Sequence, residues 1–229
     1  MNLPQSQSGF VPVRGLTYHV RTWGNPQGKK VFLLHGWMDV SATFALLVKH
    51  FPADWYVISP DWRGYGLSDW TKSDTYYFPD YLADLDAIMR HYQPEGAINL
   101  IGHSMGGQIA ATYAGARPSR VAKLVVLDAL TLPDSPSEEL PKRLESWLDD
   151  IQTPPANRDY LNFDELALRV AKHHQLDPET ALYVAQCWGQ QQPNGRVTLL
   201  ADPRHRARGP LLYRHTEAEV MWKRVTADT

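Results

Sequence analysis

The 229-residue chain has little of several features that would point to a function by themselves. It contains one cysteine, Cys187, so neither a disulfide framework nor a cysteine metal site can form within one chain. Its formal net charge is −2, which gives no electrostatic reason to expect a nucleic acid or an anionic membrane as a partner. No apolar run approaches the length of a membrane span, and the polar N-terminus lacks the apolar segment of a signal peptide. These absences predict a soluble, cytoplasmic protein whose partner is a small-molecule substrate.

The sequence also lacks the common patterns for metals and cofactors. His173 and His174 are adjacent, so on a helix they would diverge by about 100°, and no H-E-x-x-H spacing occurs nearby. The glycines of residues 102–107 do not have the G-x-G-x-x-G spacing of a dinucleotide site, and no phosphate loop is present. We therefore expect no metal and no cofactor.

What the chain does have is a G-x-S-x-G match, Gly102-His103-Ser104-Met105-Gly106. An apolar run at 97–101 predicts a buried strand before it, and a helical pattern at 108–116 follows. In a strand–turn–helix context this motif holds its serine in a strained conformation, and glycines stand where side chains would collide. We predict that Ser104 is a nucleophile and that the Met105 backbone N–H faces a developing oxyanion. The alternative is an ordinary glycine-rich turn.

Strands and helices alternate along the first 130 residues, and the chain is 43% apolar with eight tryptophans, enough for a sizeable core. This alternation predicts an α/β protein, a mainly parallel sheet with flanking helices. Strands are predicted at 11–13, 16–23, 30–34, 55–59, 97–101 and 121–127, and helices at 42–50, 79–91 and 108–116.

After Asp128 the pattern changes to short helical stretches separated by prolines. We predict a core at 1–130, an inserted helical cap at 131–222, and the start of a further core segment at 223–229. Within the cap, helices are predicted at 138–150, 163–174 and 178–188, and Asn194-Gly195 is expected to close a small hairpin. Six tryptophans and tyrosines in this segment suggest a covered, largely apolar pocket: Trp147, Tyr160, Tyr183, Trp188, Tyr213 and Trp222.

Three motifs in this order carry a resemblance to a known family: His35-Gly36-Trp37, Asp61-x-x-Gly64-x-Gly66-x-Ser68-Asp69, and Gly102-His103-Ser104-Met105-Gly106-Gly107. The chain resembles the α/β-hydrolase fold, in the serine-hydrolase-like branch related to epoxide hydrolases and haloalkane dehalogenases. Those two relatives have an aspartate in place of the serine, so Ser104 favours esterase-type acyl transfer.

The resemblance implies roles for further residues. The backbone N–H of Trp37, in the loop after the strand at 30–34, would be the second oxyanion donor. Asp128 follows Ser104 by 24 residues and is similar in position to the catalytic acid of the dehalogenase-like pattern. Alternatively, Asp128 only makes hydrogen bonds at the hinge of the cap. His35 is expected to brace the oxyanion loop, whereas Asp61 and Arg63 are expected to pin neighbouring loops.

The resemblance also implies two more core strands and a catalytic histidine after the cap. The sequence stops where the next strand should begin, so we expect these last two strands and the histidine-bearing segment to be absent. His173, His174, His205 and His215 are predicted to be solvated or structural, and His103 to pack locally. Without the next strand, the strand at 121–127 would be an exposed apolar edge that could form a homodimer.

The sequence therefore predicts a serine hydrolase acting on a small, largely apolar ester or similar acyl substrate through a Ser104 acyl-enzyme. The alternative is a truncated or decayed hydrolase that binds a ligand without turnover, or one half of a split enzyme.

Overall fold

A six-stranded sheet lies at the centre of the computed structural model, which describes residues 1–130 and 132–229. Its strands are β1 (Gln7–Val13), β2 (Leu16–Gly24), β3 (Lys29–Leu34), β4 (Trp55–Pro60), β5 (Ile98–His103) and β6 (Val121–Leu127). A separate hairpin consists of β7 (Gly189–Gln191) and β8 (Val197–Leu199). The helices are α1 (Ala45–Val48), α2 (Phe78–Tyr92), α3 (Met105–Ala116), α4 (Leu140–Gln152), α5 (Phe163–His174), α6 (Pro178–Trp188) and α7 (His215–Trp222). Short 3-10 turns occur at Ser41–Phe44, Pro118–Arg120, Ser137–Glu139 and Pro203–Arg206.

The strand order is β1-β2-β4-β3-β5-β6, in which β4, β3, β5 and β6 are parallel and β1 and β2 are antiparallel to their neighbours. The central strand β3 shows how both faces of this sheet are buried. Phe32 and Leu34 belong to the apolar cluster with α2 and α3, while Val31 and Leu33 belong to the cluster with α1. A strand whose two faces are both buried has a continuous apolar sequence. The predicted mainly parallel α/β sheet with flanking helices is confirmed.

Most predicted elements occur within a few residues of their expected bounds, and the helix predicted at 42–50 differs most. Its first turn is the 3-10 turn Ser41–Phe44, and α1 continues only to Val48. The N–H groups of His50 and Phe51 then donate to carbonyls three residues earlier, at 3.0 and 2.9 Å. The last turn is therefore tightened, and the α-helix does not continue.

The segment after β6 has an apolar cluster of its own, formed by α5, α6 and the hairpin. Leu166, Val170, Val184 and Val197 are buried in this cluster. The hairpin turn lies at the expected place, since Gly195 has a φ of +81° that favours glycine. Helix bounds at Phe163–His174 and Pro178–Trp188 match the predicted ones.

The predicted cap at 131–222 includes α7 at its C-terminal end. In the structure this helix packs on α3 of the sheet layer. A Cβ on Gly115 would lie 2.0 Å from the Met221 carbonyl oxygen, so the glycine permits this close approach. The Arg224 Nε also donates to the Gly115 carbonyl at 3.1 Å. The start of the predicted cap, residue 131, lies outside the described residues.

The strand β6 lies at the edge of the sheet, as predicted. Asp228 runs parallel to its first half, donating to the Ala122 carbonyl at 3.2 Å and accepting from the Leu124 N–H at 2.9 Å. Beyond Leu124, no strand of the described residues covers its outer side. Val125 and Leu127 are 43% and 42% exposed there. The second half of β6 is an uncovered apolar edge.

We predict that the protein associates through this edge, because unpaired strand groups beside apolar side chains recruit other chains. Sedimentation velocity across a dilution series should show association at tens of micromolar, about the range in which such edges associate. Leu127→Lys should weaken it, whereas Leu168→Lys, at a 73% exposed leucine of α5, should not. A monomer throughout the series, or equal effects of both variants, would contradict the prediction.

Candidate functional site

The turn between β5 and α3 holds Ser104 in a conformation that non-glycine residues rarely adopt. Its φ is +50° and its ψ is −119°. A Cβ on Gly102 would lie 2.4 Å from the Gly106 carbonyl oxygen, and one on Gly106 would lie 2.1 Å from that of Leu34. Only glycine therefore fits at these two positions, and the strained serine expected from the motif is present.

Hydrogen bonds fix this turn to the neighbouring strand end. The Ser104 N–H donates to the Leu127 carbonyl at 2.9 Å, and the Ser104 carbonyl accepts from the Gln108 N–H at 3.0 Å. The Gln108 side chain donates to the Ala129 carbonyl at 3.0 Å. The position of Ser104 is thus set jointly by β5, β6 and the first turn of α3.

The loop after β3 lies directly against Ser104. A Cβ on Gly36 would be 3.1 Å from the Ser104 Cβ, so any side chain there would press on the serine. Neither Trp37 nor Met105 uses its backbone N–H in a hydrogen bond within the described residues. Gly36, which precedes Trp37, and Ser104, which precedes Met105, are therefore neighbours just after the C-terminal ends of the parallel strands β3 and β5.

His35 braces this loop, as its sequence position suggested. Its ring is fully buried; Nδ1 donates to the Gly36 carbonyl at 2.8 Å, and Nε2 accepts from the Trp62 N–H at 2.9 Å. Burial lowers the pKa of His35, a shift that Asp39 and Asp61 only partly oppose. The ring stays neutral and links two loops at the site.

Asp61 and Arg63 lie behind the site and hold the loops in place, as expected. Asp61 accepts from the N–H groups of Ser41 and Leu67 at 2.7 and 3.0 Å and contacts His19 Nδ1 at 2.7 Å. Burial alone would raise the pKa of Asp61, but the hydrogen bond and charge of His19 outweigh it, and the pKa is lowered. Arg63 forms a two-pronged pair with the buried Asp84 at 2.6 and 2.8 Å.

Asp128, the predicted acid, follows β6 with a φ of +50° and is exposed. The histidines that make polar contacts make them elsewhere: His19 with Asp61, His35 with Gly36 and Trp62, His205 with Arg63 and Tyr81, and His215 with Leu132 and Glu219. Within the described residues no histidine ring makes a hydrogen bond to Ser104 or Asp128. A serine–histidine pair is therefore not assembled there.

A cavity of about 640 Å³ opens between the sheet end and the helices α5 and α6. Trp37 and His103, the neighbours of Gly36 and Ser104 in the chain, line one side. Tyr160 and Trp188 line the other, so two of the six aromatic residues expected at a pocket are found there. Much of the remaining wall is apolar: Met38, Leu166, Val170, Leu176, Val184 and Leu199.

Three histidines lie differently from the sequence prediction. His103 does not pack locally but is exposed and lines the cavity. His173 and His174 are solvent-exposed, as expected, but they also line the cavity. The spacing of His174 four residues after the buried Val170 is the signal that could have indicated this, because such pairs share a helix face.

His205 and Asp39 have structural roles that no sequence signal indicated. The His205 ring stacks on Tyr65, with 3.9 Å between ring centroids, and its carbonyl accepts from the Trp37 indole N–H at 3.1 Å. Burial lowers the pKa of His205 to about 3. Asp39 accepts from the Trp188 indole N–H at 2.7 Å. The two hydrogen bonds from tryptophan indoles each join residues more than 140 positions apart.

A family model described as the alpha/beta hydrolase fold matches residues 29–205. The chain belongs to the α/β-hydrolase fold family. The match includes the Gly36–Trp37 loop, the Ser104 turn and Asp128, and continues through α5, α6 and the hairpin.

Curated relatives of this hydrolase-fold chain include proteins named as serine hydrolase-like or as a probable serine hydrolase. A serine hydrolase-like protein of Danio rerio is 38% identical over 109 residues, which are 47% of this chain and 33% of the relative. A probable serine hydrolase of Drosophila melanogaster is 28% identical over 156 residues, 66% of this chain and 47% of the relative. The matched part thus spans between a third and a half of these relatives.

Solved structures show the same fold. A hypothetical protein of Pseudomonas aeruginosa superimposes with a TM-score of 0.85 at 24% identity, covering 97% of this chain and 78% of that one. A thioesterase domain from the curacin biosynthetic pathway gives 0.83 at 24% identity, covering 97% and 80%. Likenesses at this identity show the fold alone. None of the helices in the described part of this hydrolase-fold chain is long and apolar enough to cross a membrane.

The neutral, half-buried His205 predicts how the stability of this hydrolase-fold chain depends on pH. The pKa of His205 is about 3 in the folded chain and about 6.5 in an unfolded one. Between these values the unfolded chain binds the extra proton, so stability falls as the pH falls from about 6.5. His205 alone should remove about 2 kcal/mol of unfolding free energy between pH 7 and pH 5.

Urea unfolding at both pH values measures this loss. His205→Phe keeps an aromatic ring on Tyr65 and should show a loss smaller by about 2 kcal/mol than the parent. His91→Phe, at an exposed histidine of α2, should keep the parental loss. Equal losses in the parent and in His205→Phe would show that His205 is protonated in the folded chain.

Proposed function

We propose that this chain is a serine hydrolase of the α/β-hydrolase fold that acts on a small, largely apolar ester or similar acyl substrate. The observation that carries the proposal is the strained Ser104, with a φ of +50°, so close to Gly36 that a Cβ there would lie 3.1 Å from the Ser104 Cβ. Its relatives include serine hydrolases and a lipase of Mycobacterium tuberculosis that is 33% identical over 110 residues.

In the proposed reaction the Ser104 hydroxyl attacks the acyl carbonyl, forms a C–O bond and gives up its proton to a base. The carbonyl oxygen takes the negative charge and is stabilised by the backbone N–H groups of Trp37 and Met105. The tetrahedral intermediate then expels the alcohol, which takes up a proton, and water hydrolyses the Ser104 ester. Asp128 is proposed as the acid that orients the base.

The predicted cap at 131–222, without α7, is proposed to cover the reacting end of the cavity. Its largely apolar wall suits an acyl chain, because burial of apolar surface is favourable by about 25 cal/mol per Å². The polar site at the sheet end and the apolar wall would then bind opposite ends of one substrate.

One observation favours a second candidate function, in which the chain binds a ligand without turnover or is one half of a split enzyme. No histidine makes a hydrogen bond to Ser104 or Asp128 in the described residues. A serine hydroxyl is a weak nucleophile without an adjacent base.

We predict that a fluorophosphonate probe labels the intact chain once, at Ser104, and slowly, because no base is paired with this serine in the described residues. Intact-mass spectrometry measures the label. Ser104→Ala should remove it, whereas Ser119→Ala, at an exposed serine before β6, should keep it. An unlabelled chain that still binds a ligand would favour the non-catalytic alternative, and a label retained in Ser104→Ala would refute the assignment of the nucleophile.

We also predict that the 229-residue chain hydrolyses activated esters poorly. Without a paired base, the rate should be at most about 10³–10⁴-fold above water, the level left when one member of a triad is removed. A p-nitrophenyl ester assay measures it. Fast turnover that Ser104→Ala abolishes would contradict the prediction. Alanine variants of His103, His173, His174, His205 and His215 would then identify the base.

A further inference from the structure

The cavity wall formed by α5 is apolar at its base and basic at its rim. Leu166 and Val170 are buried, one helical turn apart. Arg169 and His173 are also one turn apart, and both are exposed while they line the cavity. Arg206 lines the cavity as well, from the 3-10 turn Pro203–Arg206.

The positive charge at this rim has no carboxylate partner in the described residues. Arg169 makes no ion pair there, and Arg206 binds only the neutral Asn157 side chain, at 2.5 Å, and the Ala156 carbonyl, at 3.4 Å. Asp39 is the acidic residue of the cavity wall. One of its two carboxylate oxygens, Oδ1, accepts from the Trp188 indole N–H, the Thr43 hydroxyl and the Val40 N–H at 2.7, 2.9 and 2.8 Å.

The lining of the cavity combines surfaces that suit a substrate with two different ends. It includes Trp37 and His103, next in the chain to Gly36 and Ser104, a largely apolar wall, and the exposed Arg169. A guanidinium binds carboxylates strongly because it can donate two parallel hydrogen bonds to them. A neutral acyl chain would pack against the apolar wall but would leave the positive charge of Arg169 without a counter-charge.

We propose that the cavity binds acyl esters that also carry a carboxylate, and that Arg169 binds this carboxylate. The inference rests on the proposed function for the reacting end, whereas binding itself does not require Ser104 chemistry. Arg169 is therefore a specificity-determining residue.

Calorimetric binding to the Ser104→Ala protein tests this without turnover. The probes are the monomethyl ester of an eight-carbon dicarboxylic acid, which carries one carboxylate, and the neutral dimethyl ester of the same acid. We expect the monoester to bind at least about tenfold more tightly. Raising the salt concentration should weaken the monoester alone, because ions screen an exposed charge pair.

The matched variants are Arg169→Gln and Lys172→Gln, both in the Ser104→Ala protein. Each removes one positive charge from α5, but Lys172 does not line the cavity. Arg169→Gln should abolish the tenfold preference and leave diester binding unchanged, and Lys172→Gln should keep it. Equal binding of the two esters, no binding of either, or equal effects of the two variants would overturn the inference.

The outcomes separate this inference from the proposed function. Fluorophosphonate labelling at Ser104 together with equal binding of the two esters would leave the hydrolase proposal standing and refute the anion site. A preference for the monoester in a chain that is not labelled would establish the anion site and count against the hydrolase proposal.

Discussion

The close approach of two backbone segments is the constraint on which the site depends. The first turn of α3 lies so near the end of β3 that a Cβ on Gly106 would be 2.1 Å from the Leu34 carbonyl oxygen. This approach forces the sharp turn at Ser104, whose φ of +50° costs on the order of 1–3 kcal/mol. The surrounding apolar cluster and the bond from Ser104 to Leu127 oppose that cost. The strained serine is therefore a consequence of how helix and sheet pack.

Polar contacts between the neighbouring loops hold them in place around this turn. His35 joins the Gly36 loop to the loop that begins at Asp61, and Asp61 binds the N–H groups of Ser41 and Leu67. Removing one partner of a buried pair such as Arg63 and Asp84 would leave an uncompensated charge, which costs about 3–5 kcal/mol. These residues hold the loops in place, and none of them lines the cavity.

Local sequence patterns were enough to predict the sheet and the turn at Ser104. The strands β3 and β6 are apolar except for their lysines, and Gly102 and Gly106 have the spacing of a strand–turn–helix motif. The placement of α7 on α3 was not predictable, because it depends on Gly115 meeting a backbone about 100 residues later. The stack of His205 on Tyr65 is equally long-range. Sequence patterns predict features that depend on residues close together in the chain. They do not predict contacts between residues that are far apart in the sequence and meet only in the folded chain.

The same distinction supports the proposal that the cavity, rather than the turn, would determine specificity. The turn around Ser104 tolerates little change, since side chains at Gly102 or Gly106 would collide with backbone atoms. The cavity wall is instead joined to the sheet end by side-chain bonds, Trp188 to Asp39, Tyr183 to the Ala42 carbonyl and Trp37 to the His205 carbonyl. Each of these bonds can be replaced without rebuilding the sheet. Substitutions on α5 and α6 can therefore change which substrate fits while the geometry at Ser104 stays fixed.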